Sequence, residues 1–411
     1  MKALCGDRLV FLRRAHLRPT VQVGAQVVAG DLLLEASSIE HAHTPAPCPG
    51  EVVAIEADRI LLAPLPEISP TTMEACDLTS RRACAERLQR CGIIGMGGGG
   101  FPTHRKLLAL PETVDLVLIN AVECDPWLRA DLTLATHEPR AVMRAVELLQ
   151  SLLGPGQLRI ATGPHTDAAV RAIDAGLPRL ETDGSYTSGW ERRLLDRVGH
   201  PRTGPNPAAS GALTLNLATA VAMSEALLDG RGLEQRYVTV GGDETFAVTI
   251  GTAVADVLPP DPRARSAIKG GTMYSVDSVH SPIEATTAGV RPLAEGVAQW
   301  PCIRCGDCRP ACPVGIRPEV LFARGAEAPS EELLQCIRCG ACDLVCPSQL
   351  PLAHGIGLAQ RDLAAQQRQA QSAERASLRH RARQLRLQAR AQEGQGRRSA
   401  RLDRLRRRPR S

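Results

Sequence analysis

Eight of the 14 cysteines fall in two copies of one spacing, CxxCxxCxxxCP. The first copy is Cys302, Cys305, Cys308 and Cys312, the second Cys336, Cys339, Cys342 and Cys346, and Pro313 and Pro347 close them. Three cysteines this close on a tight turn can cap three irons of a [4Fe-4S] cube, and the fourth iron must then be reached from elsewhere in the chain. Four thiolates also suit tetrahedral zinc, but the doubled spacing with both prolines favours iron and sulfur. The other six cysteines, Cys5, Cys48, Cys76, Cys84, Cys91 and Cys124, show no such spacing and read as free thiols rather than a disulfide framework.

Charge divides the chain. From Arg361 to Ser411, 16 arginines meet four acidic residues, while the preceding 360 residues carry 33 basic against 40 acidic side chains. An acidic body with a basic tail is expected, and the tail suits an acidic surface. Only three of the 49 basic residues are lysine, Lys2, Lys106 and Lys269. Aromatic residues make up 2% of the chain, too few for base stacking to be its main business, so no specific nucleic-acid partner is expected. No run of about 18 apolar residues and no secretory pattern at the start is present, so the expectation is an intracellular protein with no transmembrane segment of its own.

The pattern of apolar positions predicts an α/β multidomain chain. Residues 1–64 hold short β-prone runs, Leu9 to Leu12, Val21 to Val23, Asp31 to Glu35 and Glu51 to Ile55, between Gly and Pro turns. Residues 65–234 alternate strand-like runs with amphipathic helices, among them the strand Val114 to Asn120 and the helices Pro139 to Leu153 and Leu217 to Leu228. Such alternation predicts a sheet whose strand ends carry ligands. Residues 235–280 read as a small β-grasp-like module, 281–300 as a linker, 301–358 as the cysteine domain, and 359–411 as a basic tail. That tail is helical to about Gln392 and disordered beyond Gly394.

Two stretches of the α/β region carry chemistry. Residues 92–106 read GIIGMGGGGFPTHRK, and the glycines Gly95, Gly97, Gly98, Gly99 and Gly100 let the backbone approach a bulky ligand and aim amides at phosphate. Lys106 follows as a countercharge. It is not a GxxxxGK[ST] loop, because the lysine lies six residues beyond the last glycine. A strand then ends in INAVECDPWLRADL, which sets Glu123 just past a strand end, although turn-making and helix capping also account for Asn120, Glu123 and Asp125. His104, His137, His165 and His200 are isolated and read as surface or capping residues.

These features resemble known proteins. The N-terminal phrases VQVGAQVVAGDLLLEA and APCPGEVVAIEADRILLAP resemble the barrel-sandwich fold of lipoyl and biotinyl carriers, but no lysine lies between residues 3 and 105 to bear the cofactor amide, so a structural or docking role is expected. The cysteine runs resemble two-cluster ferredoxins, in which the fourth cysteine of each run serves the other cluster. That resemblance implies one cluster on Cys302, Cys305, Cys308 and Cys346, and a second on Cys336, Cys339, Cys342 and Cys312. GxGGxGFPTxxK, then NAxECxP, then Asn216 to Thr219, then two ferredoxin runs after a barrel, resemble the C subunit of the Rnf ion-translocating electron transport complex over roughly residues 9 to 365. The flavoprotein subunit of respiratory complex I shares the glycine loop and the acidic segment, where they hold FMN and admit NADH.

The resemblance implies Gly97, Gly98, Gly100, Lys106, Asn120, Glu123, Asn216 and Thr219 as FMN and nicotinamide residues, with Glu123 as the catalytic carboxylate. It further implies NADH and a ferredoxin-like carrier as redox partners. Membrane subunits would hold the chain on the cytoplasmic side of the inner cell membrane. The sequence also departs from the family. GGIHPP is missing near its start, and YPxGGEKQL is replaced by YTSGWERRLL from Tyr186, which puts Trp190 where a glycine is usual. Two rivals remain at this level. One is a soluble cobalamin reductase, which begins with the glycine loop and carries its barrel late. The other is an electron-transfer or docking subunit without nucleotide chemistry, its cleft filled by Trp190.

Overall fold

The computed structural model describes residues 4–66, 73–200, 207–242, 244–260, 266–270, 275–292 and 300–406. In the first 64 residues short runs bury alternate side chains, as half-covered strands do. Strands β1 (Leu9–Leu12), β2 (Leu17–Pro19), β3 (Gln26–Val27), β4 (Leu32–Ala36), β5 (Thr44–Pro45), β6 (Gly50–Ile55) and β7 (Arg59–Pro64) form two antiparallel sheets, ordered β1-β7-β6-β3 and β2-β4-β5. Leu9, Phe11, Leu34, Val52, Ile60 and Leu62 form their common core. The expected strand Val21 to Val23 does not form. Val23 is 61% exposed, and Gly24, at φ +83°, turns the chain immediately after it.

Next come α1 (Arg81–Arg90), α2 (Thr103–Ala109), β8 (Leu116–Ala121), α3 (Ala130–His137), α4 (Pro139–Leu153), β9 (Gln157–Thr162), α5 (Asp167–Ile173), β10 (Arg179–Glu181), α6 (Glu191–Arg197), β11 (Ala212–Asn216) and α7 (Leu217–Leu228). The four strands are parallel in the order β10-β9-β8-β11. β8 is an almost unbroken apolar run because both of its faces are covered. Val117 and Ile119 join one core with Leu149, Leu213 and Leu215, while Leu116 and Leu118 join another with Leu194 and Leu195. The chain leaves β8 for β9 on one side and returns as β11 on the other. The crevice beyond the carboxyl ends of β8 and β11 is therefore where a parallel sheet of this kind takes ligands.

A third sheet is built from β12 (Gln235–Val240), β13 (Glu244–Thr249), β14 (Ser266–Gly270), β15 (Ser275–Ser278) and β16 (Gly289–Pro292), with α8 (Val254–Val257) between β13 and β14. Its order is β13-β12-β16-β14-β15, and only β12 and β16 run parallel. The span 281–300, read above as a linker, is thus corrected in part. Residues 289–292 are an internal strand of this sheet, and 293–299 lie outside the described residues. The N-terminal sheets are also stitched to this one, since Leu4 bridges Val248 and the Val10 amide donates to Gly251 O at 2.8 Å.

The C-terminal region holds α9 (Pro318–Arg324), α10 (Ser330–Gln335), α11 (Ala341–Leu344) and α12 (Leu352–Arg406). Ile316, Leu321, Leu333 and Ile356 are its core, so the first turns of α12 belong to the cysteine domain and the expected break at 358 falls inside a helix. The tail is helical further than expected, through Gly394 and Gly396 to Arg406. Two glycines at roughly 1 kcal/mol each do not break a run of alanine, glutamine, leucine and arginine. Residues 407–411 of the tail lie outside the described residues. Among the described residues, no helix is long and apolar enough to cross a membrane.

Candidate cofactor site

The glycine loop lies across the carboxyl ends of β8 and β11 and is held from both sides. Met96 N donates to Thr219 Oγ1 at 2.8 Å, and Met96 O accepts from the Arg236 guanidinium at 2.8 Å. The amides of Gly95 and Gly100 close the loop on Phe101 O and Gly95 O, which leaves the cradle to its middle residues. Gly97 lets the loop approach Asn216 closely, since a Cβ there would stand 3.3 Å from the Asn216 side chain and would ask it to give by a few tenths of an ångström. On one side the loop borders a cleft of about 510 Å³ lined by Gly97, Gly100, Lys106, Asn120, Asn216 and Thr219, six of the eight residues expected around a flavin. Gly98, at φ +99°, does not line that cleft. It faces a separate cavity of about 600 Å³ against the N-terminal sheets.

Lys106 is not the unengaged countercharge the sequence suggests. Its ammonium donates to Glu191 Oε1 at 3.0 Å and to Thr214 O at 2.9 Å, both at the cleft wall. The two asparagines close the strand ends. Asn120 and Asn216 are register partners, Asn120 Nδ2 donates to Gly189 O at 2.7 Å, and Asn216 caps α7 by accepting from Ala218 N at 3.1 Å. Trp190 lines the cleft, with the Arg192 guanidinium 5.7 Å from its ring centre.

Glu123 sits in a smaller cavity of about 90 Å³ behind the cleft, together with Asp131, Arg236 and Tyr186. Its backbone is left-handed, φ +43°, and its carboxylate accepts from the amides of Asp131 at 2.9 Å and Leu132 at 3.1 Å, capping the first turn of α3. Burial, and then the neighbouring Asp131, push the Glu123 carboxyl up to about 7. Asp131 is likewise raised by burial, against the pull of Arg236 and an Asn216 Nδ2 hydrogen bond of 2.7 Å. Arg236 is fully buried, which draws its guanidinium down to about 10, and it also donates to Ala285 O. Asp131 and Arg236 carry no local signature and were missed by sequence reasoning. So was Tyr186 as a contact, whose hydroxyl donates to Cys339 O.

The cysteines separate into two groups. Cys302, Cys305, Cys308 and Cys346 line one cavity, and Cys312, Cys336, Cys339 and Cys342 line the other. Each cavity thus takes three cysteines from one run and the last cysteine of the other. Burial raises the thiols of Cys308 and Cys339 to about 11. Among the described residues, no three His, Cys, Asp or Glu side chains are grouped to hold a single metal ion. Cys339 also lines the small cavity behind the cleft, and Ile337 lines that cavity and the cleft itself.

Residues 88–225 match the family model described as the Nuo51 FMN-binding domain, and residues 301–350 match the 4Fe-4S dicluster domain. Over 360 residues, 78% of this chain, the sequence is 31% identical to the C subunit of the ion-translocating oxidoreductase complex of Pseudomonas aeruginosa. Over 344 residues, 74% of this chain, it is 27% identical to the C subunit of the Na(+)-translocating ferredoxin:NAD(+) oxidoreductase complex of Acetobacterium woodii. The chain is a homologue of these C subunits. It spans 46% of the first relative's length and 77% of the second's. A chain of an NAD+-reducing [NiFe]-hydrogenase in the H2-reduced state has a TM-score of 0.45 and 19% identity, covering 70% of this chain and 61% of that one.

The site of this C-subunit homologue passes a test of fit for a flavin phosphate. Thr103 Oγ1 and Thr214 Oγ1 are buried on the cleft wall without a hydrogen-bond partner among the described residues, beside a cation and a glycine cradle. A buried hydroxyl left unpaired costs free energy that a ligand acceptor recovers. The donor sets also fit iron–sulfur clusters, since each cavity offers four thiols and apolar walls.

Proposed function

We propose that this chain is the flavin- and cluster-bearing subunit of an ion-translocating electron transport complex. It exchanges electrons between NADH and two [4Fe-4S] clusters by way of FMN, on the cytoplasmic side of the inner membrane. Membrane subunits and a ferredoxin-like carrier are its partners. The observation that carries this reading is the wall between the flavin site and the second four-cysteine cavity: that cavity shares Ile337 with the glycine-loop cleft and Cys339 with the small cavity behind it. The names of the two relatives support the same reaction class. The reading takes residues 1–64 as a non-carrier barrel-sandwich, 65–234 as the nucleotide domain, the five-stranded sheet as a β-grasp-like module and 301–358 as the cluster domain.

In this assignment Gly97 and Gly100 give backbone room for the flavin, Lys106 supplies the cation for its phosphate, and Asn120 and Asn216 border its ring at the strand ends. Thr219 acts through the loop that it anchors, and Gly98 serves the turn. Cys302, Cys305, Cys308 and Cys346 hold one cluster, and Cys312, Cys336, Cys339 and Cys342 the other. Bound FMN supplies the exchange between a two-electron nicotinamide and one-electron iron–sulfur centres. The chain's own groups set the conditions for that exchange. Glu191 keeps the Lys106 ammonium at the cleft wall, and Tyr186 ties the cleft's rear to the Cys339 loop. Below about pH 7 Glu123 holds a proton at its carboxyl, so the acidic pair behind the cleft does not repel an anionic ligand.

Trp190 on the cleft wall favours a second reading, a docking subunit without nucleotide chemistry. One preparation separates the two. Protein purified without oxygen should contain FMN and about eight irons and eight sulfides per chain, and it should reduce ferricyanide with NADH. Lys106→Ala should lower flavin content at least severalfold with iron unchanged. Cluster-loaded protein that neither carries nor takes up flavin would replace the first reading with the second.

A further inference from the structure

Of the seven arginines between Arg361 and Arg386 in α12, six share one face and Arg381 lies opposite, about 160° around. At about 100° per residue, Arg361, Arg368, Arg375, Arg379, Arg383 and Arg386 all fall within about 40° of one line along its surface. Their spacings of seven, seven, four, four and three residues average close to 3.6 per turn, so the line is straight and does not coil around the helix. It runs for about 37 Å at roughly 1.5 Å per residue. All six residues are exposed, and among the described residues none of them is in an ion pair with a carboxylate. The two acidic residues of this stretch, Asp362 and Glu374, lie on other faces, about 100° and 220° around.

The rest of the arm narrows the choice of partner. Leu378 and Leu385 are exposed on one face, but exposed Leu387 lies about 160° from Leu385, and a single pair of leucines is short of the repeated seam that a second helix needs. No aromatic residue occurs from Leu352 onward, so base stacking is not on offer. What remains is attraction to a flat, extended, negatively charged surface, and a straight band brings all six guanidinium groups to such a plane at once. The field of anionic headgroups falls off within about 10 Å, which makes that simultaneous approach decisive. The acidic body is repelled by the same surface and would need an arm of this kind to stay near it.

We propose that the arginine band of α12 is an electrostatic anchor to the anionic lipid surface of a membrane, lying on it without insertion. The inference needs neither flavin nor clusters, so it stands or falls separately from the redox assignment. The test is cosedimentation of the full chain with vesicles. Binding is expected to vesicles containing about a third phosphatidylglycerol and not to pure phosphatidylcholine, and to be reversed by about 0.5 M salt. Replacing the six arginines by glutamine should weaken it at least tenfold.

A second variant keeps the charge and breaks the line, pairing Arg368→Gln with Gln367→Arg, Arg375→Gln with Ser377→Arg, and Arg386→Gln with Gln384→Arg. It should lose affinity to a similar extent while keeping its helix content by circular dichroism. Native affinity in this second variant, equal binding to neutral vesicles, or binding to duplex RNA in place of vesicles would each overturn the proposal.

Discussion

Arg236 links more of the site than any residue the sequence singled out. Its guanidinium holds Met96 O and Ala285 O and faces both carboxyls of the small cavity. Between the ordinary value of 4.5 and about 7 the folded protein keeps a proton on Glu123 that the unfolded chain releases. The stability this contributes is complete below 4.5 and is lost as pH rises through about 7. Without the cation, Glu123 and Asp131 are raised further and the loss continues to higher pH. Arg236→Met should therefore cost about 3–5 kcal/mol at pH 8, where a buried charge loses its partner, and distinctly less at pH 5. Melting temperatures across that range check this, and a gap that does not change with pH would refute the coupling. Glu123 was legible because it follows a strand directly, whereas Arg236 lies in a different sheet and only folding brings it to the glycine loop.

Between elements, the acidic loop after β8 is pressed against the third sheet. Trp127 lies where strands β14 and β16 carry Gly270 and Gly289, and a Cβ at either glycine would enter the space of its ring. Gly289→Ala should therefore push Trp127 and Leu128 outward at a cost of about 1–3 kcal/mol. The expected signs are a shifted tryptophan emission and a weaker hold on flavin, and unchanged fluorescence and denaturation midpoints would count against the clamp. This contact also explains why the sequence misreads the span 281–300. The strand Gly289–Pro292 has four residues, a glycine and a proline, and no usable period of its own, and it is a strand because β12 and β14 flank it. Longer elements needed no such help. Pro139–Leu153 and Gln157–Thr162 fall where their apolar positions put them, each burying enough surface to declare its period.

At the scale of the whole chain, the spacing of the cysteines alone fits ligands taken within each run or exchanged between runs. The fold brings Cys346 to the first three cysteines and Cys312 to the second three, an exchange that local sequence does not encode. It also makes the two cavities unequal. The one holding Cys336, Cys339 and Cys342 shares Ile337 with the cleft and Cys339 with the small cavity behind it, while Cys302 and Cys305 of the other are exposed. Electrons leaving a flavin in the cleft should thus meet the Cys336 cluster first. Cys302→Ser and Cys336→Ser should each lose about half of the iron. In the first, NADH should still reduce the remaining cluster, while in the second that reduction should slow by at least tenfold, because a flavin-proximal carrier is missing. Freeze-quenched paramagnetic resonance of anaerobic samples reads both outcomes. Since the two variants lose the same share of metal, equal rates would mean that the shared wall does not set the order of transfer.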